Sequence, residues 1–280
     1  MSAVAIVTDS TADLGPLAHE YGIDVVPLSI AFGNEQFRDG IDLGMDEFYA
    51  RLASGQQTPV TSQPPPAAFA AVYRRLLADG ASGIVSLHLS SALSGTCNAA
   101  TLAARDVDAS RIRVVDTRTV SLGLGMVAMA AAQDARRGAR LDDVAERAIA
   151  DAANVDLYAT IPSLTYLARG GRIGPLRSCL GNVLKIVPII TLCGGEVAEY
   201  AKVRTFTRAV DQIVTRAIEQ MRGCAKARCA VLHAAAAQLA EGMAQRIRDA
   251  VQPSLLLVRS VGPTVGTHAG PGVVGVIFIR

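Results

Sequence analysis

The sequence predicts an α/β protein in two parts. Residues 1–156 are expected to form a Rossmann-like domain around a parallel sheet, and residues 157–280 an α+β domain with a mixed or antiparallel sheet. Three observations carry this division. Strand and helix signals alternate through the first part. The second part contains a hairpin signal at Cys193-Gly194-Gly195. The formal charge also changes sign: residues 1–157 hold 12 Lys/Arg against 19 Asp/Glu, or −7, and residues 158–280 hold 15 against 6, or +9.

The elements follow in order. Val4–Thr8 is a short β-branched run that reads as a strand, and residues 12–20 read as a helix. Residues 24–30 form a second expected strand, and 46–53 a helix stopped near Gly55. Residues 56–66 hold four of the twelve prolines and are expected to be loop. In 67–77, Phe69, Val72, Tyr73 and Leu76 share one face of a helix. A strand at 83–87, a helix at 94–104, a strand at 111–115 and a helix at 122–136 complete the alternation, which requires a parallel sheet covered on both faces.

Beyond residue 156 the pattern is different. A strand at 156–161 and a short helix at 163–168 precede two strands, 187–192 and 196–203, that flank the Cys-Gly-Gly turn. A helix at 207–222 buries Val210, Ile213, Val214 and Ala217. A strand at 229–233 and a helix at 237–251 come next, and strands at 255–261 and 273–278 enclose a glycine-rich loop.

Composition narrows the function classes. With 50% hydrophobic and 19% charged residues, the chain is expected to fold into a packed core. Only 4% of residues are aromatic and none is Trp, which argues against base-stacking platforms, and the dispersed basic residues argue against nucleic acid. MSAVAIVTDS lacks the basic and apolar regions of a secretion signal, so a cytoplasmic location is expected. The charge-free apolar stretch 119–132 is too short for an integral membrane segment and is broken by Gly123 and Gly125. Cys97, Cys179, Cys193, Cys224 and Cys229 form no CxxC pair, and the four histidines stand at no metal-ligand spacing, so reduced thiols and no metal are expected. The basic second half either attracts the acidic first half or faces an acidic or phosphate-bearing partner.

Several segments carry chemistry. In IVSLHLSSALSGTCNA (84–99) a buried strand leads through a serine-rich loop into a helix expected to start at Ser94. Its first N–H groups, at Gly95 and Thr96, lack intrahelical partners and favour an anion at the carboxyl edge of a parallel sheet. Ser94 either caps the helix or offers its hydroxyl outward, and no GxSxG surrounds it to mark a nucleophile. Gly123-Leu-Gly125-Met-Val-Ala128 matches a dinucleotide fingerprint, but residues 116–122 separate it from the strand, so close helix packing is the better reading. Thr61-Ser62-Gln63-Pro64 sets two hydroxyls before a rigid turn. Arg169-Gly170-Gly171-Arg172 holds guanidiniums suited to carboxylate or phosphate. His268 stands alone in the glycine-rich stretch 266–272, open to a structural or a functional role.

Taken together, VTDSTADL (7–14), TSQP (61–64), LSSALSGT (89–96), VVDT (114–117), SLTYLARGGRIG (163–174), KVRT (202–205) and GTHAGPG (266–272) resemble the DegV family. These are bacterial fatty-acid-binding proteins that act as the binding subunit of fatty acid kinase. The segments run in order along nearly the whole chain. Cys97 departs from the aromatic residue that many relatives carry there.

The resemblance implies one long-chain fatty acid as ligand, its carboxylate between two domains and its tail in a buried tunnel, with no other cofactor. Thr61, with Ser62 beside it, and Ser94 look like the hydroxyls on the carboxylate, and the Gly95 N–H like a third donor. His268 looks like the residue that orients Thr61 or touches the head group. Arg172 and Arg204 look like cations facing an ATP-dependent kinase subunit or the acyl phosphate formed on the lipid. The first domain would carry the hydroxyl site, and the second the basic face, the histidine loop and the acyl tunnel. The chain would bind and present its lipid, with the ATP chemistry left to the kinase. Burying about sixteen carbons gives an upper bound on the order of 11 kcal/mol at roughly 0.8 kcal/mol per CH₂. The tail should therefore set affinity and the head-group donors orientation. Two alternatives stand beside this reading: a stand-alone hydrolase using Ser94 and His268, and a carrier of another apolar carboxylate.

Overall fold

The structure is a computed structural model that describes residues 3–179 and 186–280, apart from the side chains of 178 and 179; Cys179's thiol and Lys185 lie outside what is described. In chain order the strands are β1 (Ala5–Asp9), β2 (Ile23–Val26), β3 (Ser29–Phe32), β4 (Glu35–Arg38), β5 (Val60–Ser62), β6 (Ile84–His88), β7 (Ile112–Asp116), β8 (Val155–Thr160), β9 (Val187–Cys193), β10 (Glu196–Val203), β11 (Arg228–His233), β12 (Leu255–Ser260) and β13 (Val274–Ile279). The helices are α1 (Pro16–Glu20), α2 (Met45–Ser54), α3 (Pro66–Ala78), α4 (Thr96–Val107), α5 (Leu122–Arg136), α6 (Leu141–Ala153), α7 (Thr165–Arg169), α8 (Phe206–Met221), α9 (Ala237–Val251) and α10 (Pro263–Ala269).

Two compact units result, one comprising the chain up to Leu43 with Thr61–Ala153, the other Gly44–Val60 with Asn154–Arg280. The first unit is built on a parallel sheet of order β2-β1-β6-β7. Side chains alternate across each strand. Val7, Ile84 and Ile112 pack against Phe69 and Tyr73 of α3 and Ala99 and Ala103 of α4. The alternate residues Ile6, Val85 and Leu87 are buried as well, and α5 and α6 also pack against the sheet. A small sheet has the order β4-β3-β5.

The second unit carries a mixed sheet of order β10-β9-β8-β13-β11-β12, in which only β11 and β12 pair in parallel. Val210, Ile213 and Val214 of α8 and Met243 and Ile247 of α9 bury against Val231, Val276 and Phe278. The expected hairpin is present, with Cys193 paired to Glu196 at its end.

Several expectations are corrected. The single strand over 24–30 is two strands in two sheets: Pro27 has no N–H to extend β2, and the Leu28 N–H is taken instead by the Ser10 hydroxyl at 3.0 Å. The helix over 12–20 begins only at Pro16, because Asp13 (φ 53°) and Gly15 (φ 52°) are left-handed and Pro16 opens a new helix. Helix α6 and strands β4 and β5 were not expected. The glycine-rich 266–272 segment is largely helical, with His268 in the last turn of α10. Residues 44–60 join the second unit, whereas the sequence placed them in the first. The cause is packing: Phe48 and Tyr49 are buried, the Tyr49 hydroxyl donates to the Val261 carbonyl at 3.0 Å, and a Cβ on Gly266 would lie 2.7 Å from the Tyr49 hydroxyl and 2.9 Å from Phe48.

Candidate functional site

The parallel sheet has its switch point between β1 and β6, since the chain leaves β1 toward β2 on one side and returns to β6 on the other. Open α/β sheets bind ligands at the carboxyl ends of the strands flanking such a point. Those ends are Asp9, with the 3-10 turn Ser10–Ala12 after it, and His88, with the loop to Gly95 after it.

That loop is held at both ends. The Ser90 N–H donates to the Thr119 carbonyl at 2.9 Å, and the Ser94 N–H to the Ser90 carbonyl at 3.2 Å. The helix begins at Thr96, two residues later than expected, and Gly95 is its N-cap. Ser94 bonds to the first residue of the helix. Its hydroxyl accepts the Thr96 N–H at 3.3 Å and shares a hydrogen bond with the Thr96 hydroxyl at 2.9 Å, yet the residue stays half-buried. Gly95 lies against the Gln63 side chain, so closely that an added Cβ would stand 2.0 Å from Gln63 Oε1. This contact brings the Thr61–Pro64 segment and the serine loop together. Thr61 is half-buried and Ser62 exposed on β5.

Behind the loop lies a cluster that the sequence reading missed. Parallel register sets Thr8 beside Leu87, so Asp9 falls next to His88. Ser86 shares the His88 face two residues earlier. The Tyr73 hydroxyl donates to Ser86 Oγ at 2.7 Å, Ser86 Oγ lies 2.7 Å from His88 Nε2, and His88 Nδ1 lies 3.0 Å from Asp9 Oδ2. Asp9, Ser86, His88 and Tyr73 are all fully buried. Alternating Ser and His on a buried strand, beside a strand ending in Asp, was the available signal. Its meaning depended on the register.

A separate polar cluster lies within the second unit. Gly170 ends α7 and packs on the His268 ring; an added Cβ would stand 2.0 Å from His268 Nδ1. The Gly170 carbonyl accepts from Arg172 Nη1 at 2.6 Å. The Arg-Gly-Gly-Arg turn and the histidine segment therefore form one constellation. Burial pushes the His268 pKa down to about 4, and the Arg172 charge adds to the effect. Arg204 belongs to a different element: it is exposed between β10 and α8, before Thr205, which caps α8 by accepting the Arg208 N–H at 3.2 Å. Ser94 and His268 lie in different units.

The remaining candidates are quiet. Cys97 is buried in the first turn of α4, and burial, with Asp116 and Asp9 nearby, pushes its thiol up to about 11. Gly125 packs on the Ala12 carbonyl and Leu14, the close-packing role expected of the false dinucleotide fingerprint. Among the described residues no group of three or more His, Cys, Asp or Glu is arranged to hold a metal. No helix among them is long and apolar enough to cross a membrane.

Comparison with known proteins adds the family context. The model for uncharacterised proteins of the DegV family matches residues 3–280. A DegV domain-containing protein of Streptomyces coelicolor is 41% identical over 98% of this chain and 97% of its own length. One from Deinococcus radiodurans is 36% identical over 98% and 97%. Among solved structures, a DegV family protein of Thermus thermophilus, described by its fatty acid binding, superposes with a TM-score of 0.93 at 31% identity, covering 99% of each chain. DegV of Bacillus subtilis, described as a fatty acid binding protein, gives 0.92 at 28% identity, covering 100% of this chain and 99% of its own.

Proposed function

The chain belongs to the DegV family, and we propose that it binds one long-chain fatty acid whose carboxylate is held by the hydroxyls of Thr61, Ser62 and Ser94 and the N–H of Gly95. The observation that carries this reading is the apposition of the Thr61–Gln63 segment and the Ser94–Gly95 turn at the switch point of the parallel sheet. A helix N-cap and flanking hydroxyls make a donor-rich pocket edge for an anion. The fatty-acid-binding descriptions of relatives that superpose over essentially the whole chain support it.

Once loaded, the protein acts in the cytoplasm as a carrier without its own chemistry, and it presents the carboxylate to an ATP-dependent kinase that forms the acyl phosphate. Arg172 and Arg204 serve that partner or the phosphate. The hydrolase alternative finds little support, because Ser94 is hydrogen-bonded to Thr96, while the histidine near a serine hydroxyl in the first unit is the sealed His88.

The test is native mass spectrometry of freshly purified protein, then lipid extraction. A stoichiometric adduct that extracts as a fatty acid is the expected result. Protein that carries no adduct and takes up neither palmitate nor oleate refutes the reading; an adduct of another apolar carboxylate replaces it with the second carrier hypothesis.

A further inference from the structure

The line Tyr73–Ser86–His88–Asp9 has the spacing of a serine–histidine–aspartate triad, yet it is closed to substrate. The Ser86 hydroxyl is fully buried and accepts a hydrogen bond from Tyr73. The Phe69 ring meets the His88 ring edge-on at 5.0 Å. Its hydrogen bonds nevertheless run in one direction. Burial raises the Tyr73 pKa, so the phenol keeps its proton and donates a hydrogen bond to Ser86 Oγ. Ser86 in turn can donate a hydrogen bond from its own hydroxyl to His88 Nε2, an arrangement in which the ring proton sits on Nδ1, facing Asp9.

Asp9 is where the line meets the chain. Its Oδ2 accepts from His88 Nδ1 and from the Leu89 N–H at 3.1 Å. Its Oδ1 accepts from the Thr11 N–H at 3.0 Å and the Thr11 hydroxyl at 2.5 Å. One buried carboxylate therefore joins the loop after β1 to the first residue of the loop after β6. With four donors on two oxygens, it has little freedom to turn.

We infer that Asp9, His88, Ser86 and Tyr73 are positioning residues that aim the Ser94–Gly95 donors, so that the protein selects a carboxylate head group over a neutral one. The inference rests on the proposed role of Ser94 and Gly95 as carboxylate donors. It assigns the triad-like geometry to ligand selectivity and gives Ser86 no nucleophilic role. Other ties on the same strand end do not use the line: the Thr117 hydroxyl donates to the His88 carbonyl at 2.8 Å, and the Ser90 N–H to the Thr119 carbonyl. These keep β6 in its sheet when the line is cut, so the variants should fold, while Leu89 loses its firm tie to Asp9 and the loop that leads to Ser94 shifts.

The experiment compares dissociation constants for palmitate and for hexadecanol, which share a tail and differ in the head group. The proteins are the intact chain and its His88→Gln, Asp9→Asn and Tyr73→Phe variants, with circular dichroism to report folding. His88→Gln and Asp9→Asn should weaken palmitate at least about tenfold and hexadecanol less than about twofold. Tyr73→Phe removes one hydroxyl at the far end and should weaken palmitate alone by about threefold; it carries the test if the other two do not fold. Equal losses for both ligands, or no loss for either in folded variants, overturn the inference. Failure of the unmodified chain to bind palmitate overturns instead the reading on which it rests.

Discussion

Replacing Gly170 by alanine isolates the contact that joins the arginine turn to the histidine helix. Gly170 has φ −73° and ψ −8°, ordinary helical values that alanine adopts without strain. On backbone grounds alone the change should stabilise by about 0.4–1 kcal/mol, through the unfolded chain. The new methyl, however, would stand 2.0 Å from His268 Nδ1, 2.8 Å from Cε1 and 3.3 Å from Cγ. Relieving that overlap requires the ring or α7 to move by more than about 1 Å, at an overpacking cost of about 1–3 kcal/mol. The net effect is a loss of between about 0 and about 2.6 kcal/mol. In a His268→Ala background the obstacle is gone, and the same substitution should stabilise by about 0.4–1 kcal/mol. Urea unfolding of the four proteins of this cycle measures the coupling, read from midpoints at unchanged slope. Effects that add to within about 0.5 kcal/mol, or a loss that persists without His268, would refute the packing argument.

Three further outcomes are expected. His268 titrates low in the folded protein, at about 4, and near 6.5 when unfolded. Its contribution to stability is thus complete above the unfolded value and is lost as pH falls toward the folded one. Between pH 7 and pH 5 the loss should be roughly 2 kcal/mol, and calorimetry of His268→Gln should show a flatter pH dependence; an unchanged curve would contradict the depressed pKa. Ser94→Ala and Thr61→Ala should preserve the fold and each weaken palmitate by about tenfold, since a hydrogen bond to a charged group contributes about 1.5–3 kcal/mol; titration calorimetry with unaltered affinity in both would remove these residues from the site. Arg172→Ala and Arg204→Ala should retain bound lipid but lose acyl phosphate production with a fatty acid kinase, and full turnover would reject their assignment to the partner.

Much of the fold was legible because its signals are local. The hairpin around Cys193-Gly194-Gly195 and the helices over 122–136 and 237–251 come from turn chemistry and periodicity within a few residues. The same holds for the serine loop after a buried strand. Local signals misled where a break was subtle. The local pattern runs on across Gly15-Pro16 and Pro27, although Pro16 opens a new helix and Pro27 separates two strands. The glycines around His268 suggested a loop, but in α10 Gly266 makes room for Tyr49 and Phe48, and the chain stays helical. Residues 44–60 carry no mark of the unit they join, because that choice depends on partners more than two hundred positions away, as in the Tyr49–Val261 bond with its separation of 212.

The sequence by itself determined most element types, the parallel sheet of the first part, the mixed sheet of the second, and the residue types offered to a ligand. Each of these comes from backbone propensity, apolar period or side-chain chemistry. Only the tertiary structure decided which of those residues meet. The Asp9–His88 contact spans 79 positions and exists because β1 and β6 pair in one register; a slip of one residue would turn every side chain to the other face. The Gly170–His268 contact likewise exists because α7 and α10 pack at a distance that leaves no room for a methyl group. Register and packing distance are properties of the assembled core, set by the burial of many side chains at once. No short stretch of sequence contains them.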